Sequence, residues 1–146
     1  MKSLSFNDGR QNFMINDDPN RVIRFNPADP EIINRLLKVQ DEFRNYQIPE
    51  DIELNPDGSP KGDMEKGGAY IAEFTTAMRK AFNGIFNADV YDTIFDGQSP
   101  LCIIEEQYLY EVVTDSLVEL MRPAIEEYRK QNQKLTEKMN KYLGDV

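Results

Sequence analysis

Histidine and tryptophan are absent from this chain, and cysteine occurs once, at Cys102. Without histidine there is no Ser-His-Asp or Cys-His relay and no Cys/His zinc site, and a single thiol forms no internal disulfide. The chemistry of most familiar hydrolases is thereby excluded. Long apolar runs are missing as well. The longest are short pieces such as Leu101-Cys102-Ile103-Ile104, far below the roughly 20 residues that cross a bilayer. The opening ten residues carry no extended apolar core of the secretion-signal kind, and one lone thiol suits a reducing compartment. A cytoplasmic protein without a membrane span is expected.

What is present fits one domain with a protruding arm: 146 residues, 40% apolar and 29% charged, close to ordinary globular usage. The net charge of −9 is unevenly placed. Residues 1–27 hold four basic and three acidic groups, residues 28–121 seven and nineteen, and residues 122–146 six and four. The acidic middle repels phosphate backbones, so direct nucleic-acid binding is disfavoured, and its first meaning is solubility.

The pattern points to an α+β protein, mostly α. Residues 1–27 read as a small antiparallel β-meander of three strands: Ser3-Leu4-Ser5-Phe6, a turn at Asp8-Gly9, Phe13-Met14-Ile15, a turn at Asn16 to Asn20, then Arg21-Val22-Ile23-Arg24-Phe25. Asp29-Pro30-Glu31 is a helix start, and Ile32, Leu36, Val39, Phe43 and Tyr46 trace one face of a helix over 30–46. Residues 47–62 hold three prolines and read as a mobile loop without a packed element. A second helix begins near Asp63, ending or bending at Asn83-Gly84, and a short capped turn closed by glycine follows at residues 87–97.

From about 103 to 143 the longest helical stretch is expected, with Pro123 kinking or dividing it. Residues 28–121 thus form an acidic helical body and 122–146 a C-terminal helical arm. In that arm Met121, Ile125, Tyr128, Asn132, Leu135, Met139 and Tyr142 alternate spacings of 4 and 3, a heptad seam with one polar member. Packing on the arm's own domain and pairing with another helix both satisfy such a seam. The stripes make Leu109, Val113, Leu117, Tyr128, Leu135 and Met139 the expected partner-contacting positions, with self-association through the N-terminal strands or the C-terminal helix.

Sites for chemistry are thin. Asp89, Asp92 and Asp96, with Glu105 and Glu106, have the oxygen ligands of a Mg²⁺ or Ca²⁺ site, yet helix capping accounts for acids in such places. The stretch from Asp57 glances at a calcium loop with Gly62 sixth, but Lys61 is fifth and Gly68 twelfth, where acceptors are needed. Lys66-Gly67-Gly68 lacks the strand and hydroxyl of a phosphate-cradling loop. No catalytic residue, cofactor or metal is expected, and the protein reads as a non-enzyme.

A short β N-terminus ending in residues 21–29, a helical middle, and Tyr91-Asp92-Thr93-Ile94-Phe95-Asp96-Gly97 ahead of a Pro-interrupted final helix resemble the tail assembly chaperones of long-tailed phages and prophages of Gram-positive bacteria. The resemblance covers most of the chain. Asp92-Thr93-Ile94-Phe95 fits that group's D-x-x-F-G segment, with Asp96 intervening before Gly97. It implies a non-enzymatic partner of the tape-measure protein, the long helical polypeptide that sets tail length, keeping it soluble in the bacterial host cytoplasm. It also implies a longer form made by ribosomal frameshifting. The alternative from another class is an acidic phage-encoded inhibitor that mimics nucleic acid and blocks a host defence or DNA-binding protein, which the acidic middle supports.

Overall fold

A computed structural model of the chain describes residues 1–44 and 46–144. In chain order it holds β1 (Gln11–Ile15), β2 (Asp18–Phe25), α1 (Pro30–Phe43), β3 (Glu53–Leu54), β4 (Pro60–Lys61), α2 (Met64–Phe86), α3 (Tyr91–Phe95), β5 (Ile103–Ile104), β6 (Gln107–Tyr108) and α4 (Leu109–Gly144). The architecture is α+β and mostly α. Among the described residues the strands pair antiparallel as β1-β2, β3-β4 and β5-β6.

Local chemistry fixes the helix starts. Asp29 accepts a hydrogen bond from the Glu31 amide at 2.9 Å, and Pro30 occupies the first helical position, where a missing amide costs nothing. Asp63 caps α2 through the Lys66 amide at 3.1 Å. Gly67, in the first turn of that helix, lets β4 come close: a Cβ there would meet the Pro60 Cβ at 3.0 Å.

Helix α2 is the centre of the core. Met78 and Phe82 are fully buried, and Phe74, Ile85 and Phe86 nearly so. Phe82 packs edge-on to Phe95 of α3 at 5.1 Å between ring centroids, Phe86 meets Phe25 of β2 at 4.9 Å, and Phe74 meets Tyr110 of α4 at 5.6 Å. One helix therefore touches hairpin, short helix and long helix through aromatic contacts worth about 0.5–1.5 kcal/mol each beyond simple burial. Leu36 of α1 and Leu117 and Met121 of α4 complete this core.

Several expectations are corrected. The N-terminal β element is a two-stranded hairpin; Ser3–Phe6 lies outside the strands, with Leu4 and Phe6 exposed. Its turn is at Asn16-Asp17, both with positive φ, which matches the right-handed twist of a tight hairpin. The helix expected over 30–46 ends at Phe43, and Asn45 lies outside the described residues. Residues 47–62 contain a packed element after all. Strands β3 and β4 enclose a turn in which Asn55 and Ser59 bond through their backbones at 2.8 Å.

That turn is seated on the residues before α4. Ile103 donates to the Pro56 carbonyl at 3.0 Å, and Gly58 has φ +85°, where a Cβ would be strained and would come within 3.1 Å of the Cys102 amide nitrogen. Residues 103–108, expected as helix, form the β5-β6 hairpin across Glu105 and Glu106, both at positive φ. Helix α2 runs on past Asn83-Gly84. The Asn83 side chain instead accepts from the Val90 and Tyr91 amides, each at 2.9 Å, and so caps α3 from outside. Helix α4 passes through Pro123 as one element. Pro123 is exposed, so the carbonyl left without its amide donor one turn earlier faces water instead of a dry core.

Tyr91 gives a sharp test of core polarity. Its hydroxyl is buried with no hydrogen-bond partner among the described residues, while the Arg79 guanidinium lies 4.7 Å above the ring. Burial, offset in part by Arg79, pushes the phenol up to about 12 from an ordinary 10.0. Because the folded value lies above the unfolded one, this contribution is fully present below pH 10 and is lost as pH rises toward 12. Tyr91→Phe is expected to stabilise by about 1 kcal/mol, since an unpaired buried hydroxyl costs roughly 1–3, and to soften the alkaline loss. Urea denaturation as a function of pH measures both effects, and a lower midpoint for the variant at neutral pH contradicts the reading.

Candidate functional site

The first half of α4 is amphipathic in two directions. Tyr110, Thr114, Leu117 and Met121 recur at spacings of 4, 3 and 4 and are buried against the core. Leu109, Val113, Ser116 and Leu120 lie to one side of that stripe and face the β1-β2 hairpin and α3. Between these three elements is a groove of about 440 Å³, a size that takes several side chains. Its apolar walls come from Met14 and Ile23 of the hairpin, Ile94 and Phe95 of α3, and Val113 and Leu120 of α4. Leu120 is 41% exposed and Met14 55%, so the groove opens to solvent.

Arg21, in the groove wall, ties the hairpin to α3. The β1-β2 register passes from Met14↔Val22 to Ile15↔Asp18, which leaves Pro19, Asn20 and Arg21 without opposite partners. Such an irregularity re-aims a side chain, and here it sends Arg21 to the end of α3. The guanidinium donates from Nε to the Thr93 carbonyl at 3.0 Å and from Nη2 to the Ile94 carbonyl at 2.7 Å. A cation on the last carbonyls of a helix is placed where the dipole favours it. Asp96 stands 3.9 Å from Nη1 and has φ +51° as the left-handed cap of α3. The residue that interrupts the D-x-x-F-G pattern is thus the one that pairs with Arg21.

Past Ile125 the long helix turns exposed, with Glu127, Tyr128 and Gln131 still bordering Gly9 and residues 26–30 of the body across a groove. Every residue from Glu126 to Gly144 is exposed, an arm of about 28 Å at the α-helical rise. Tyr128, Leu135, Met139, Tyr142 and Leu143 are 43–75% exposed and fall along one side. Glu126 with Lys130 and Glu137 with Lys141 have the favourable Glu-to-Lys i,i+4 order, and Gln131 donates to Glu127 at 3.2 Å. These local pairs support helix formation by only a few tenths of a kcal/mol each. A segment of this length without tertiary packing is marginal in water.

The six partner-contacting positions read from the sequence therefore fall into two places. Leu109, Val113 and Leu117 are at the groove, where Leu117 is 6% exposed and belongs mainly to the core. Tyr128, Leu135 and Met139 are on the arm. Leu109 and Leu135, 26 positions apart on one helix, are not brought together. Sequence reasoning missed Arg21, Met14 and Ile94, which wall the groove from other elements.

Three of the five acidic residues considered as ligands are engaged elsewhere: Asp92 with Arg79 at 2.5 Å, Asp96 with Arg21, and Asp89 with the Asn83 amide at 3.4 Å, while Glu105 and Glu106 form the β5-β6 turn. Among the described residues no three such side chains gather in metal-binding geometry, and no helix is long and apolar enough to cross a membrane. The Asp57 carboxyl is held below its usual range by hydrogen bonds from Ser59, as befits a turn-forming acid. Compared with known family models, curated proteins and solved structures, the chain matches none.

Proposed function

We propose that this protein is a non-enzymatic chaperone for a long apolar helix, acting as a tail assembly chaperone that binds a tape-measure protein and keeps it soluble until the tail tube is built around it. One observation carries the reading: a single helix presents Val113 and Leu120 to an open groove and then Tyr128, Leu135 and Met139 to solvent. Exposed apolar stripes of this extent favour cover by another polypeptide, and an amphipathic helix in a groove is a common mode of such recognition. Weak contacts repeated along a long client gain from multivalency and remain displaceable. The acidic surface supports solubility of the loaded complex. The resemblance in residues 91–97 points to the same client class.

Co-expression tests the reading. A cognate tape-measure protein made alone is expected to aggregate, and made with this chain to stay soluble and co-purify. Apolar groove binding holds as salt is raised, whereas mimicry of a polyanion weakens steeply with salt. A client that remains insoluble, or that is equally soluble without this chain, overturns the assignment. Capture of a DNA-binding protein with a steep salt dependence would favour the inhibitor instead.

A further inference from the structure

We infer that the groove beside Arg21 receives the basic C-terminal arm of a second copy of this chain, so that the protein associates head to arm. This goes beyond the client reading and does not rest on it, but it uses the same groove and stripe, so a second copy and a client compete for them. Each chain carries both halves of such a contact: an apolar groove walled by hairpin, α3 and α4, and an exposed stripe at Tyr128, Leu135, Met139 and Tyr142. Its own arm cannot fill its own groove. Leu117 at the groove and Leu135 on the arm belong to one continuous helix, about 27 Å apart along its axis.

Charge selects the body over a second arm as the docking surface. Between residues 129 and 141 the arm has five cations, Arg129, Lys130, Lys134, Lys138 and Lys141, against one acid, Glu137. Residues 28–121 carry nineteen acids and seven cations. At the groove itself the lining acid Asp96 pairs with the lining cation Arg21, and Glu119, beside the lining residue Leu120, pairs with Arg122; the acids left beside the groove are Asp17 and Asp18, next to the lining residue Asn16. The Arg21 cation is already bonded to two carbonyls and Asp96. An arm placed here meets an apolar floor with Asp17 and Asp18 at one edge, on a body whose overall charge is opposite to its own. Two arms placed together bring like charge to like charge along a seam of barely three heptads that also contains Asn132.

Head-to-arm contact is heterologous, so it closes into a ring or continues as an open chain of subunits. Two full-length variants separate it from arm-to-arm pairing. One replaces Leu135→Asp and Met139→Asp, leaving the groove intact. The other replaces Leu120→Asp, leaving the arm intact, at a half-exposed position where the fold tolerates the charge; circular dichroism of each checks helix content. By analytical ultracentrifugation the unmodified chain is expected to gain mass with concentration and to lose it with added salt. Each variant alone is expected to stay monomeric, and an equal mixture of the two to form a one-to-one pair, because one contributes the arm and the other the groove. Self-association of the Leu120→Asp chain, a mixture that stays monomeric, or an unmodified chain that stays monomeric up to its solubility limit would each overturn the proposal. No client is present, so its failure leaves the chaperone reading standing, and failure of the chaperone reading leaves this result unchanged.

Discussion

Phe82→Ala is expected to remove about 3–5 kcal/mol of folding stability, the range for deleting a buried aromatic ring. Phe82 is fully buried in α2, with Tyr91 at 6.4 Å and Phe95 at 5.1 Å between ring centroids. The neighbours cannot close over the space, because α3 is held in place on both sides. Asn83 grips its start through the Val90 and Tyr91 amides, and Arg21 grips its end through the Thr93 and Ile94 carbonyls. Against a total of about 5–15 kcal/mol for a domain, this is a large share, and the variant is expected to melt roughly 10 °C or more below the unmodified chain. Thermal and urea melts measure it. A loss below about 1 kcal/mol would mean that α2 is not the centre of the core.

Arg21→Met is the second large effect, and it acts on the groove. Charged donors are worth about 1.5–3 kcal/mol per hydrogen bond when lost from a partly buried site, and the Arg21 side chain is only 18% exposed. A loss of about 2 kcal/mol is expected, with the hairpin no longer tied to α3 and the groove wall free to shift. Arg21→Lys is expected to restore only part of this, because a point charge lacks the planar fork that reaches both carbonyls at once. Urea denaturation gives the stability change, and client co-purification gives the binding change. An Arg21→Met chain with unchanged stability and unchanged binding contradicts the role assigned to this side chain.

How much of this was visible in the sequence depends on the range of the interaction concerned. Asp29 and Asp63 announce their helices because a cap acts within three residues. The stripe from Ile32 to Phe43 and that from Phe74 to Ile85 are legible because burial follows the helical period. Strands of two residues, as in β3 to β6, have no period to read, and their positions follow from contacts such as Ile103 with Pro56.

Arg21 was hidden for a different reason. Its partners are more than 70 positions away, and its aim depends on the slipped register of the hairpin. The last helix was legible as a stripe with an arm set off at 122–146, but not as to which members of the stripe the body covers. The same spacing runs through Leu117, which is buried, and through Leu135, which is 54% exposed. Periodicity says that an apolar side exists; only packing says how much of it the body covers. Pro123, the natural place to divide it, sits in a helix that continues.

Hydrogen exchange of the free chain in dilute solution measures that division directly. Amides of Leu135 to Lys141 have helical bonds but no cover from the body, so they are expected to exchange about 100-fold or more faster than those of Met78 to Phe82. They are expected to slow when the chain is concentrated or loaded with client. Arm amides that exchange as slowly as the core of α2 in dilute solution would show that one subunit satisfies its own stripe, and would contradict the account.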